Sequence, residues 1–178
     1  MSLPATLGSA IVERAAHGDE AAFARLVDAY HADLLRVAYV TCGADADLAQ
    51  DAVQAAWVTA WRKLGTVREP EKVKGWLVAV TANEARQLVR RQHRRSIVEL
   101  KVNAADPTGQ DPAGSIDRVD LVNALGHLKP EDRALLALRY VAGFDSFEIG
   151  RALGKSPSGT RARLGRLLER LRGDLDHG

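Results

Sequence analysis

Apolar residues recur along this chain at the three- and four-residue intervals of a helix, and no segment shows sustained strand alternation bounded by hairpin turns. Asp19 is placed to cap a helix on which Ala21, Phe23, Leu26, Val27, Tyr30, Leu34, Leu35 and Ala38 share that spacing, and Gly43 ends it. Asp45 or Asp47 opens a second helix carrying Leu48, Val53, Ala56, Trp57, Ala60 and Trp61, closed by Gly65. Residues 66–75, TVREPEKVKG, read as a loop or a short broken helix.

The next helix, WLVAVTANEARQLVRRQHRR at 76–95, has two unlike faces. Wound at about 100° per residue, Leu77, Val78, Thr81, Ala85, Leu88 and Val89 fall on one broad apolar side. Trp76, Asn83, Gln87, Arg90 and Arg94 form the opposite stripe, with Arg91 beside it. Amides can bond base edges, guanidinium groups can grip phosphate, and an aromatic ring can stack on an unpaired base. A solvated helix face with Trp76 filling the core explains any single residue equally well; the stripe as a whole favours nucleic acid.

Beyond it the composition changes. VNAADPTGQDPAGS, residues 102–115, holds two Asp-Pro steps and almost no large apolar residue. A flexible linker is expected there, taken over 97–115. Helical spacing resumes with Ile116, Val119, Leu121, Val122, Leu125 and Leu128. Pro130 suits the first turn of EDRALLALRYVA, and Gly143 suits its end. Asp145 and Glu148 fit a capping box for FEIGRALG, and a turn at 154–157 leads to a last helix from about Ser158 to Leu171.

On that last helix Thr160, Leu164, Leu167, Leu168 and Leu171 face inward. Ser158, Ala162, Gly165 and Arg166 point away, with Arg161 and Arg163 on the flanks. The final pair has the size and turn of a helix-turn-helix, whose second helix can lie in the major groove. An ordinary helical hairpin with a basic outer face would look similar. The expected fold is all-α: two small helical domains, 1–96 and 116–178, joined by the linker, the second containing the helix-turn-helix.

With 178 residues and 46% hydrophobic content the chain can bury a core. It has no long uncharged apolar run and no basic-then-apolar leader, so neither a membrane span nor a secretory signal is expected. Cys42 is alone, which excludes an intramolecular disulfide and fits a reducing cytoplasm. The formal charge of +2 hides an asymmetry. Acidic residues dominate up to Asp51, whereas Arg62 to Lys101 and Lys155 to Arg172 are basic. One acidic end and two basic patches suggest a protein partner and two contacts on a polyanion. His17, His31, His93, His127 and His177 are scattered, and no glycine-rich phosphate loop or metal-spaced cluster occurs. No catalytic residue, metal or cofactor is therefore expected.

Four stretches in order carry a family resemblance: DEAAFARLVDAYHADLLRVAY, DADLAQDAVQAAWVTAWRKL, GWLVAVTANEARQLVRRQHRR, and LKPEDRALLALRYVAGFDSFEIGRALGKSPSGTRARLGRLLERLR. From Asp19 to Leu175 the chain resembles a bacterial RNA polymerase sigma factor of the extracytoplasmic-function type. The resemblance implies a non-enzymatic initiation factor whose partners are core RNA polymerase and promoter DNA, and it admits an anti-sigma factor. It assigns Asp51, Gln54, Trp57 and Trp61 to docking on the polymerase. Lys72, Lys74, Trp76, Asn83, Gln87, Arg90, Arg91 and Arg94 would bind and melt the −10 element. Ser158, Arg161, Ala162, Arg163 and Arg166 would read the −35 element. Gln50 and Ala55 replace acids usual in the docking helix, and Ser158, Gly159 and Thr160 stand where Gly-Thr-Val is usual. The alternative is a conventional helix-turn-helix regulator with an N-terminal sensing domain; a second nucleic-acid face on such a domain would be redundant.

Overall fold

The computed structural model of the chain describes residues 5–102 and 125–176, and every regular element among them is helical. α1 spans Ala5–Ala16, α2 Glu20–Thr41, α3 Ala46–Lys63 and α4 Val73–Val102. Two short 3-10 turns, Leu64–Thr66 and Pro70–Lys72, link α3 to α4. In the C-terminal unit α5 covers Pro130–Leu136 and opens into one wide π-type turn at Ala137–Val141. α6, Ser146–Leu153, and α7, Pro157–Asp176, complete the helix-turn-helix. The linker and the start of the helix expected at Ile116 lie, from residue 103 on, outside the described residues.

Local chemistry explains the helix boundaries. The Asp19 carboxylate accepts from the Ala22 amide at 2.9 Å and that of Asp45 from Leu48 at 2.9 Å, so each satisfies an orphan donor of the first turn. Asp145 accepts from the amides of Phe147 and Glu148, and Glu148 returns the bond by accepting from the Asp145 amide at 2.8 Å. The tight approach of α6 to α7 needs Gly150: a Cβ there would stand 2.7 Å from the Lys155 carbonyl oxygen. α1 was not anticipated from the sequence, yet Ile11, Val12 and Ala15 are buried against the other N-terminal helices. α4 continues to Val102, into the stretch assigned to the linker, because SIVELKV contains no glycine or proline to stop it.

The core decides how the two units stand to each other. Leu26, Leu34, Val37, Val53, Leu64, Leu77 and Val78 fill the space among α1–α4. Ala134, Leu135, Ala137, Leu138, Ile149 and Leu153, from the C-terminal unit, belong to the same buried cluster. Leu135, Leu138 and Ile149 are 0% exposed. α5 packs on α2 and α4, and α6 on α4. A smaller cluster of Leu125, Leu128 and Leu167 lies beside Val40, Leu136 and Leu171. The units are therefore pressed together through a shared apolar core.

Arg133 reaches from the C-terminal unit to the turn between α2 and α3. Its Nε donates to the Leu128 carbonyl and its Nη2 to that of Gly126, both at 3.1 Å. Its guanidinium also fills the place a side chain would take at Gly43, since a Cβ there would lie 2.4 Å from Nη1. Gly43 has φ of 76°, so the backbone of the turn between α2 and α3 favours glycine, and a Cβ there would also displace the Arg133 guanidinium. Burial pushes the Arg133 pKa down.

Candidate docking and nucleic-acid interfaces

Three surfaces hold the residues singled out in the sequence. The first is an apolar groove between α2 and α3, lined by Phe23, Val27, Leu35, Trp57, Val58 and Trp61 and rimmed by Gln50, Gln54 and Arg62. Phe23 meets Trp57 and Trp61 edge-on, with ring centroids 5.6 and 4.9 Å apart. Trp57 is buried and its indole Nε1 donates to His31 Nδ1 at 3.3 Å, while Trp61 is 42% exposed and Val58 48%. Of the four residues expected to dock, Gln54 and Trp61 thus lie open on the groove, Asp51 is exposed on the same helix, and Trp57 forms its floor. Phe23, Val27 and Val58 were not anticipated as groove residues. Helical spacing marks Phe23 and Val27 as core positions and does not show that the core is left open at one edge.

The second surface is the polar side of α4. Leu77, Val78, Thr81 and Ala85 are buried as the helical wheel requires, and Leu88 and Val89 pack partly buried against the core. Trp76 is half-buried against the core rather than displayed. Gln87, Arg91 and Arg94 are exposed. Lys72 pairs with Glu69 and Lys74 with Asp33 at 2.7 Å; the hydrogen bond from Lys74 is the main reason the Asp33 carboxyl lies below its usual range.

Asn83 and Arg90 have a different environment. Asn83 Nδ2 donates to the Ala152 carbonyl at 2.9 Å, and Arg90 Nε donates to Glu131 Oε1 at 2.8 Å. Both partners belong to the C-terminal unit. Burial raises the Glu131 pKa, but the Arg90 hydrogen bond, its own backbone and the Arg90 and Arg86 charges together hold it below the usual value. Between them Arg86 donates to Asn83 Oδ1 at 2.8 Å, while its Nε is buried without a hydrogen-bond partner. The stripe is thus divided: Gln87, Arg91 and Arg94 are open, Asn83 is held against α6, and Arg90 is bonded to α5 while its side chain stays half exposed.

The third surface is the outer side of α7. Leu164 and Leu167 are buried, Thr160 is 0% exposed, and Arg161, Ala162, Gly165 and Arg166 are exposed, as the wheel predicted. Ser158 is exposed beside the turn. Arg163 is turned inward, its Nε donating to Asp132 Oδ1 at 2.7 Å. Asp132 is buried at the start of α5, and Arg170 approaches its other oxygen at 4.0 Å. Glu131 and Asp132 were not anticipated as partners of these arginines; the only signal was an acidic pair following Pro130.

Among the described residues no group of three or more His, Cys, Asp or Glu could hold a metal, and no helix is long and apolar enough to cross a membrane. Cys42 is buried, and desolvation, helped by the charge of Asp45, pushes its thiol up to about 12.

Comparison with known proteins agrees with this layout. Residues 26–95 match the sigma-70 region 2 family and residues 118–171 the sigma-70 region 4 family. The RNA polymerase sigma factor CarQ of Myxococcus xanthus is 32% identical over 127 residues, which is 70% of this chain and 73% of CarQ. The ECF RNA polymerase sigma factor SigM of Mycobacterium tuberculosis is 32% identical over 162 residues, 88% of this chain and 80% of SigM. Of two other relatives the chain spans 42% and 57% of the length. In fold the chain is similar to CnrH, solved in complex with the cytosolic domain of CnrY, with a TM-score of 0.71 at 24% identity, covering 96% of this chain and 97% of that one. With both regions matched in order, the chain belongs to the RNA polymerase sigma factors of the extracytoplasmic-function type.

Proposed function

We propose that this chain docks on core RNA polymerase through the α2–α3 groove and directs it to promoters by two DNA contacts. α4 serves the −10 element and α7 the −35 element. The observation that carries the reading is a pair of separate exposed basic helix faces, one in each matched region: Gln87, Arg91 and Arg94 on α4, and Arg161 and Arg166 on α7. Exposed Trp61 and Val58 beside Asp51 and Gln54 supply the apolar centre and polar rim that a protein interface uses. Chemistry is left to the polymerase, and this chain contributes binding energy.

Asn83 and Arg90 can meet DNA only after their bonds to Ala152 and Glu131 are broken. Engagement of the whole α4 stripe, Asn83 included, therefore entails separation of the C-terminal unit from it, whereas Gln87, Arg91 and Arg94 are already open. Any partner that holds the units together would oppose transcription. NepR of Bartonella quintana is described as an anti-sigma factor in complex with the sigma factor RpoE, and an antagonist of that kind acting here would need no contact with DNA. The reading of a regulator with an N-terminal sensing domain is disfavoured, because residues 26–95 match region 2.

Run-off transcription with purified bacterial core polymerase and a promoter library tests the proposal. The expected result is initiation from a discrete set of templates that share two spaced elements, with none from core alone. Failure to bind core polymerase, or initiation without template preference, would refute it.

A further inference from the structure

Among the described residues Asp132 is the one carboxylate in the buried class. It lies in the first turn of α5, where the helix dipole favours an anion, and it faces α7. Its Oδ1 accepts from Arg163 Nε at 2.7 Å, and its Oδ2 stands 4.0 Å from Arg170. The Arg163 side chain is 30% exposed, whereas Arg161 and Arg166 on the same helix are open. The hydrogen bond to Asp132 is also the main reason the Arg163 pKa is raised.

A helix crowded with arginines has a selectivity problem. Each guanidinium that reaches a phosphate adds affinity for any duplex, whereas only one aimed at a base edge discriminates. On α7 Arg161, Arg163, Arg166, Arg170 and Arg172 fall within about three turns. Left free, Arg163 would add a cation at the flank of the reading face, where the backbone of a bound duplex runs. The neutral end of that face, Ala162 and Gly165, has no reach to compensate with base contacts.

We propose that Asp132 is a specificity-determining positioning residue: it sequesters Arg163 from DNA phosphate and fixes the roll of α7, so that upstream discrimination rests on Arg161 and Arg166. This rests on the DNA-reading role assigned to α7 above. The pair lies wholly within the C-terminal unit, so it persists when the two units separate. Asp132 thereby raises selectivity by lowering affinity for the wrong duplex.

The test uses the full chain, a duplex enriched by the parent from a random library, and a random-sequence duplex, each titrated at several salt concentrations. Asp132→Asn keeps an acceptor of the same shape and removes the charge. It should bind the random duplex at least ~3-fold more tightly, lower the enriched-to-random ratio by a similar factor, and steepen the slope of log K against log salt by about 0.9, one phosphate gained. Adding Arg163→Gln to it should restore the parental slope. Arg163→Gln alone, which retains a donor toward Asp132, should leave the slope unchanged.

A flatter slope in Arg163→Gln would mean that Arg163 already sits on phosphate, and would overturn the proposal even if Asp132→Asn failed to fold. So would a helical Asp132→Asn variant that binds both duplexes as the parent does, or that loses affinity for both alike. If the parent enriches no sequence and binds no duplex in a salt-dependent way, the DNA-reading role of α7 fails and this proposal falls with it. Intact parental selectivity with an unmoved variant slope refutes only the role of Asp132.

Discussion

Leu135→Ala distinguishes a shared core from two domains that merely touch. Leu135 sits on α5 and is 0% exposed, in the same buried cluster as Leu26, Leu34, Leu77 and Val78 of the N-terminal unit. Truncating a leucine so enclosed removes its transfer free energy and leaves a cavity, at a cost of roughly 3 kcal/mol within a usual span of ~2–5. In a chain of this size each kcal/mol moves the unfolding midpoint by about 2–4 °C, so a drop of roughly 9 °C is expected. The protein's three tryptophans are Trp57, Trp61 and Trp76, all on α3 and α4. Their fluorescence therefore reports from the N-terminal unit and its packing, while far-UV circular dichroism reports both units. If the core is shared, the tryptophan midpoint falls with the circular dichroism midpoint although the mutation lies on α5. A tryptophan midpoint within about 1 °C of wild type, beside a new low-temperature transition by circular dichroism, would refute the shared core.

Four further outcomes follow from the same contacts. Gly43→Ala forces a methyl group into the Arg133 guanidinium and a strained positive φ, so it should destabilise the closed form by more than ~1 kcal/mol and increase the distance between probes on α2 and α7, read by energy transfer. Cys42, buried and with its thiol pushed up to about 12, should resist alkylation at pH 8 in the wild type and react markedly faster in Gly43→Ala, read by mass spectrometry. Because the Glu131 pKa is depressed in the folded chain, its contribution is complete above its ordinary value of 4.5 and is lost as pH falls through the lower folded value. The tryptophan midpoint should therefore drop across that acid window, and Glu131→Gln should remove that component. Asp51→Arg should weaken binding to core polymerase by roughly tenfold or more, with duplex binding unchanged; equal polymerase affinity in the folded variant, by fluorescence anisotropy, would remove Asp51 from the docking surface.

The sequence was legible where structure is local. The caps at Asp19, Asp45 and Asp145, the turns at Gly43 and Gly154 and the inward stripe of α7 all depend on neighbours a few residues apart, and they stand as the spacing implied. What the spacing could not reveal was the partner of a face. A helical wheel assumes one inside, whereas α4 has two: Leu77 and Ala85 face α1–α3, and Asn83 and Arg90 face α5 and α6. Leu135 and Ile149 lie on helices the spacing indicates, but nothing along the chain says that what buries them includes α2 and α4. Likewise the spacing puts Arg163 on the flank of α7, and the acid it bonds lies 31 positions earlier, beyond any helical period. α1 was missed because its few large apolar residues, Ile11 and Val12 above all, form a short stripe that signals little without its partners.

The shared core has a consequence for the chain in company with itself. Nothing in the contacts of Leu135, Leu138 and Ile149 requires the N-terminal unit they meet to come from the same polypeptide. Two opened chains that exchanged C-terminal units would re-form the bond from Asn83 to Ala152 in a reciprocal, two-fold dimer. Such a dimer would be chemically identical in its interior to two closed monomers, would accumulate with concentration, and would store both molecules in a form released only by dilution or by a partner that prises the units apart.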